Sequence, residues 1–215
     1  MIVFPYTTLV GKPVPKAAFY RNMEVNAKLK QRFTDDVAGI VWTAKIAPST
    51  LNVADGKTVH EIAVFRMELK TRAVPADVLT FIDRMMPRHT LWLLQKDDDF
   101  CLLANYKEWH DAACSQFDIV KTFLTEWTSA ENLSLQLDGQ DMDAVYSALV
   151  RQVAGVSITS GAKEIHTAVC QTKEHEALQK KIAALEAKVA KERQPKKKFE
   201  LHQQLVKLKE NNKLK

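Results

Sequence analysis

The sequence predicts an α+β domain with a mainly antiparallel sheet and packed helices, followed by a C-terminal basic helical hairpin or coiled-coil arm. Three observations carry this. Val59–Lys70 alternates strictly, with Ala63, Phe65, Met67 and Leu69 on one face and Ile62, Val64, Arg66, Glu68 and Lys70 on the other, the period-two mark of a strand. Patterned segments follow one another as helix, strands, helix, hairpin, strands, helix, an order typical of α+β folds. Charge changes at Gln171: from there to Lys215 thirteen Lys/Arg face six Glu, a net of +7, while Met1–Cys170 carries 18 basic and 20 acidic residues, a net of −2.

The elements follow in order. Two prolines in Lys12–Pro15 break structure, and Pro15 suits the first turn of a helix. Phe19, Tyr20, Met23, Ala27, Leu29 and Phe33 recur at helical spacing, giving one or two helices that end at Asp35-Asp36. Val37–Ile46 is rich in β-branched residues and reads as a strand that stops at Pro48. Asp55-Gly56 marks a turn before the Val59–Lys70 strand. Pro75 opens a helix to Met86 with Val78, Leu79, Ile82, Met85 and Met86 as its buried stripe. Thr90–Leu94 and Phe100–Ala104 flank Lys96-Asp97-Asp98-Asp99 as a β-hairpin with a solvated tip. Ile119–Thr125 is a further strand, with Trp127 as its extension, and Leu133–Leu137 alternates apolar and polar. Asp141–Val153 is a helix buried through Met142, Val145, Tyr146, Leu149, Val150 and Val153. The domain layout is a globular body at 1–155, a joint at 156–171 and the arm at 172–215.

In the arm, Leu178, Ile182, Leu185 and Val189 form an a/d stripe over two heptads. A second stripe, Leu201, Leu205 and Leu208, starts in another phase, and Pro195 lies between them. The residue before a proline leaves the α region. Two helices are therefore expected, about Thr172–Arg193 and Pro195–Lys213, folded as a hairpin or kinked. Isolated helices of this length are marginal, so these seven residues are the candidate partner interface. Lys188, Lys191, Arg193, Lys196, Lys197 and Lys198 crowd the joint between the helices. Lysines in a helix's first turn oppose its dipole. These six are the candidate nucleic-acid-binding residues, contacting backbone phosphate without reading sequence. No aromatic interleaving of the kind that stacks single-stranded bases accompanies them, and no helix-turn-helix or zinc-finger pattern.

Other chemistries are largely excluded. No apolar run approaches the ~18–20 residues of a spanning helix. The opening stretch lacks a basic cluster and an A-x-A-like site, so a secretory signal is not expected. Cys101, Cys114 and Cys170 are scattered and odd in number, which argues against a disulfide framework or zinc ribbon and for a cytoplasmic location. Six glycines, none clustered, offer no phosphate loop. No histidine sits in zinc-protease order and no Ser or Cys in a nucleophile motif. Neither a metal nor a cofactor is expected on the main reading.

One catalytic alternative remains. Glu68-Leu69-Lys70 forms an E-x-K pair on one strand face, with Asp55 thirteen residues earlier. Such a set in a Mg²⁺-dependent nuclease holds the metal with its carboxylates and orients water with its lysine. A solvated amphipathic strand produces the same three residues.

The run Trp42-x-x-Lys45-Ile46-x-Pro48-x-Thr50-x-Asn52, with His60-Glu61, Val64-Phe65, Leu69-Lys70 and Tyr106-Lys107-Glu108, resembles a bacterial domain-of-unknown-function family. The arm's Lys191–Gln194 and Glu200-Leu201 fit the same pattern, and Ile46 stands where the pattern expects Leu. Members of that family look like partners of DNA methyltransferases and DEAD/DEAH helicases in restriction-like or phage-defence loci. The resemblance implies no catalytic residues. It implies a non-catalytic accessory or assembly subunit whose protein partner is a methyltransferase or helicase subunit, with nucleic-acid backbone as a second contact. A free-standing homodimer held by the arm is the remaining alternative.

Overall fold

The computed structural model describes residues 2, 4–21, 26–110, 117–158 and 164–213. Met23, Cys114 and part of the expected joint, 159–163, lie outside these. The chain divides into two units, Met1–Ser157 and Ile158–Lys215.

The first unit is an α+β domain on a seven-stranded, mostly antiparallel sheet of order β1-β2-β3-β4-β5-β6, with β7 beside β5. β1 (Leu9–Pro13) runs into the Lys12–Pro15 stretch that was read from sequence as a break. It is an edge strand, where a proline's missing N–H costs no ladder bond. Its register on β2 shifts between Leu9 and Lys12, around Gly11 at φ +63°. Two helices follow, α1 (Lys16–Arg21) and α2 (Ala27–Asp36), the second capped by the Asn26 side chain accepting from Leu29 N–H at 2.8 Å. β2 (Val37–Ile46) pairs antiparallel with β3 (Ile62–Leu69), joined through the one-turn helix α3 (Pro48–Leu51).

β3 and β4 (His89–Lys96) are parallel. Such a pair needs a crossover, and α4 (Ala76–Met85) supplies it. β4 turns directly into β5 (Asp99–Trp109), then β6 (Phe117–Leu124) pairs with β5 and short β7 (Thr128–Ser129) extends that side. At the β4–β5 tip Asp97 adopts φ 53°, a left-handed state that Asp tolerates. Asp97 pairs with Lys96 at 2.6 Å and Asp99 with Arg72. Leu133–Leu137 forms no strand, and Gln136 instead exchanges both backbone bonds with the Gln152 side chain, each at 2.8 Å.

Strand alternation assigns the faces. Ala63, Phe65, Met67 and Leu69 of β3 join Trp92, Leu94, Cys101 and Leu103 in one core with Phe19, Phe33, Val78, Leu79 and Ile82 from α1, α2 and α4. The opposite face meets α5 (Met142–Ala154), whose Tyr146 ring packs on His89 at 4.5 Å and Tyr106 at 6.1 Å. Asp141 caps α5 by accepting from Ala144 N–H at 2.8 Å. Two residues later, Asp143 in the first turn of α5 ties the loop before β3 to this helix. Its carboxylate accepts from Lys57, Thr58 and Val59 N–H and from the Thr58 hydroxyl. Burial opposes ionisation there, but those bonds hold the carboxyl below its ordinary range.

The second unit contains α6 (Ile165–Lys191) and α7 (Pro195–Lys213), which pack together. α6 begins seven residues earlier than the periodicity indicated. Among the described residues no helix is long and apolar enough to cross a membrane.

Candidate functional site

The arm folds as its stripes require. A three-residue connection, 192–194, separates α6 from α7. Ile182 and Leu205 are buried, and Leu178, Leu185, Val189, Leu201 and Leu208 are half-buried. α6 and α7 touch, and Glu186 meets Lys209 at 2.7 Å across the pair. The leucine stripes are thus occupied within the hairpin, and an outside partner must use the remaining surface. On that surface Phe199 is 63% exposed and Val206 40%. They lie seven residues apart on α7, two turns along one face.

The six cations converge at the corner between the helices. Lys188 and Lys191 occupy the last turn of α6, where positive charge suits the helix dipole. Lys196, Lys197 and Lys198 occupy the first turn of α7 behind Pro195, where the dipole opposes them. Arg193 sits in the connection, and all six are exposed. None forms an ion pair with a carboxylate among the described residues. Of the neighbouring acids, Glu186 holds Lys209 and Glu192 accepts from Gln194 N–H at 2.9 Å, while Glu200 lies exposed on α7. A cleft of about 320 Å³ opens at this corner, lined by Ala187, Lys188, Lys191, Glu192 and Leu201.

The nuclease set does not converge. Asp55 lies in the turn ahead of β3, accepting from Gly56 N–H at 2.9 Å and facing His60 Nδ1 at 3.0 Å. Glu68 lies near the other end of β3, six residues beyond Ile62, which is roughly 20 Å of strand. Lys70 donates to the Thr34 carbonyl at 2.9 Å. Two carboxylates on one metal must both lie within ~2–2.6 Å of it, which this separation does not allow. Among the described residues no cluster of three His, Cys, Asp or Glu is arranged for a metal.

The Trp42–Asn52 run has a structural explanation. Trp42 packs on Phe65 with centroids 6.3 Å apart and donates to the Ala44 carbonyl at 2.9 Å. Pro48 starts α3, the Thr50 hydroxyl accepts from Ala47 N–H at 2.9 Å, and Asn52 closes the turn at φ 57°. Lys45 lies on β2 itself and pairs with Glu61 at 3.1 Å, where Arg88 also binds at 2.8 Å. Its charge is therefore compensated.

Sequence reasoning missed one constellation entirely. Asp83 and Lys107 are both fully buried. The Asp83 carboxylate accepts from Thr90 Oγ1 at 2.6 Å, Trp92 Nε1 at 3.0 Å and Asn105 Nδ2 at 2.5 Å. Lys107 Nζ donates to the Asp83 carbonyl at 2.9 Å, stands 4.0 Å from its carboxylate and lies 4.5 Å from the Phe117 ring centroid. Thr122 donates to Asn105 Oδ1 at 2.6 Å, and the Tyr146 hydroxyl donates to the Asn105 carbonyl at 3.1 Å. Burial pulls the Lys107 ammonium down to about 8 despite Asp83. Burial, then the Lys107 charge, pulls His89 down to about 3, so its imidazole is neutral at pH 7. Burial pushes the Tyr146 phenol well above its usual value. Asp83, Asn105 and Lys107 are buried and bonded to one another or to their neighbours, and the network meets the surface at Thr122, so it is a structural core. A signal for it was present: Leu79, Ile82, Asp83 and Met86 share i, i+3, i+4, i+7 spacing, which sets Asp83 on the buried stripe of α4.

The family model described as Domain of unknown function (DUF4391) matches residues 2–211, covering both the body and nearly all of the arm. No curated protein and no solved structure matches the chain.

Proposed function

The chain belongs to the DUF4391 family, and from that premise we propose that it is a non-catalytic accessory or assembly subunit of a bacterial DNA-modification or phage-defence system. The arm makes its contacts, to a methyltransferase or helicase subunit and to nucleic-acid backbone. The observation that carries this reading is the hairpin corner. Its leucine stripes are occupied between α6 and α7, while six cations stand exposed with no carboxylate pairing among the described residues. Keeping three lysines against the dipole of α7 costs roughly 0.3–1 kcal/mol each, a cost that a bound anion offsets. The body supports the reading in a second way: its buried Asp83–Lys107 pair is matched internally, and Asp55 lies too far from Glu68 to share a metal with it.

The test is retention of the full chain on immobilised duplex DNA across a salt gradient, with and without K196A/K197A/K198A. The wild type is expected to elute at higher salt, and the variant to lose up to about three from the slope of log K against log salt, near 0.9 per phosphate. Identical elution of the two proteins would remove the phosphate contact from the proposal. The protein contact is read separately, by co-expression with a DNA methyltransferase subunit or a DEAD/DEAH helicase and sizing of the product.

A further inference from the structure

The exposed ring of Phe199 stands between Lys196 and Lys198 around α7, and we infer that this end of the hairpin takes single-stranded nucleic acid, with Phe199 stacking on a base and the flanking lysines meeting phosphates. The inference rests on the backbone-contact reading above and names its substrate class. Helical rotation of 100° per residue puts Lys196 about 60° and Lys198 about 100° from Phe199 around α7, one on each side. Leu201, on the seam, lies about 160° away, so the ring points off the hairpin. Its exposure is 63%, against 40% for Val206 on the same helix.

Two occupants fit an exposed aromatic: an apolar protein surface or a base. Charge decides between them. The cores of protein–protein interfaces are depleted in lysine, yet here three consecutive lysines precede the ring. A polyanion with flat π-faces uses both features together, since base–aromatic stacking and phosphate contact are the two terms of single-strand binding. In duplex DNA the bases are already stacked on one another, so the ring gains nothing there while the lysines still contribute. The geometry therefore gives a strand preference that charge alone does not.

The experiment is fluorescence anisotropy of the full chain with a labelled oligothymidylate of about twenty nucleotides and with a duplex of equal length. The proteins are the wild type, Phe199→Leu, Phe199→Trp and K196A/K197A/K198A. The wild type is expected to bind the single strand more tightly than the duplex. Phe199→Leu should weaken single-strand binding by at least about fivefold, the lower end of one stacking contact, and leave duplex binding unchanged. Phe199→Trp should restore it. Single-strand binding by Phe199→Leu equal to wild type, or weakened equally for both ligands, overturns the inference; the backbone reading then still stands if the triple alanine loses both ligands. A triple-alanine variant that binds both like wild type overturns the backbone reading and this inference together. All three variants carry substitutions at exposed positions, and helix content equal to wild type by circular dichroism confirms that each is folded.

Discussion

Lys107 and Lys197 are the same residue in opposite circumstances. Lys107 is enclosed at the end of the sheet, with a carbonyl, a carboxylate and an aromatic face supplied to it by Asp83 and Phe117. Lys197 stands in water at the start of a helix whose dipole repels it. The first is a charge whose partners the fold provides. The second is a charge whose partner must come from outside. The contrast divides the chain: the body places its unusual polar chemistry where nothing can reach it, and the arm places its own where nothing within the described residues answers it.

Breaking the enclosed half should have the largest effect. Asp83→Ala leaves Lys107 buried without its counter-charge and strips a partner from Thr90, Trp92 and Asn105. Removing one member of a buried pair typically costs about 3–5 kcal/mol. Urea unfolding, followed by tryptophan fluorescence because Trp92 reports on the site, should show that loss. A loss below about 1 kcal/mol would mean the network contributes little to holding the sheet and α4 together.

Acid should open the same region by another route. His89 is held neutral with a folded value of about 3 against 6.5 when unfolded. Between those values the unfolded chain binds the extra proton, so stability rises with pH there and falls as pH drops from 6.5 toward 3. At about pH 4.5 the His89 share is on the order of 2–3 kcal/mol. Carboxylates such as Asp143 add their own acid loss, since its carboxyl is held low by the Lys57–Val59 loop. The measurement is therefore a difference: His89→Leu should flatten the stability profile below pH 6.5 relative to wild type. Parallel profiles would show that burial does not suppress this imidazole.

The exposed half should respond with the opposite sign. K196A/K197A/K198A removes three charges that oppose the dipole of α7, and alanine is the better helix former. Helix content should hold or rise, and stability should rise by about 1–3 kcal/mol at low salt, three times the cost of one such charge. The same variant loses its hold on nucleic acid, so a drop in stability alongside the loss of binding would show that these lysines serve the hairpin itself.

The uneven legibility of the sequence follows the same division. β2, β3, α4, α5 and the β4–β5 hairpin were readable because each buries a stripe of fixed period, and the arm because two leucine stripes break phase at Pro195. β1 was hidden because proline usually ends strands, and only its place at the sheet edge makes Pro13 tolerable. Lys107 was hidden because a lysine in a strand defaults to solvent. Its burial depends on Asp83, on a different element twenty-four residues away. No local pattern contains a pairing between elements. The corner cations were legible because exposure is what a charge run predicts by default.

The smallest effect is expected at Glu68, where sequence and geometry part most clearly. Period two in the sequence puts Glu68 and Lys70 on one face, but β3 ends at Leu69, which leaves Lys70 one residue beyond it; Glu68 is exposed. Their company is what fails: Lys70 turns to Thr34 of α2, and Asp55 is engaged with His60 beyond the far end of the strand. An exposed strand carboxylate away from caps and networks contributes within about 0.5 kcal/mol. Glu68→Ala should therefore leave unfolding unchanged, and chain purified with or without Mg²⁺ should leave a labelled duplex and single strand equally intact. Mg²⁺-dependent cleavage that disappears in Glu68→Ala would overturn the non-catalytic reading of the body, because it would require an acidic partner for Glu68 nearer than Asp55.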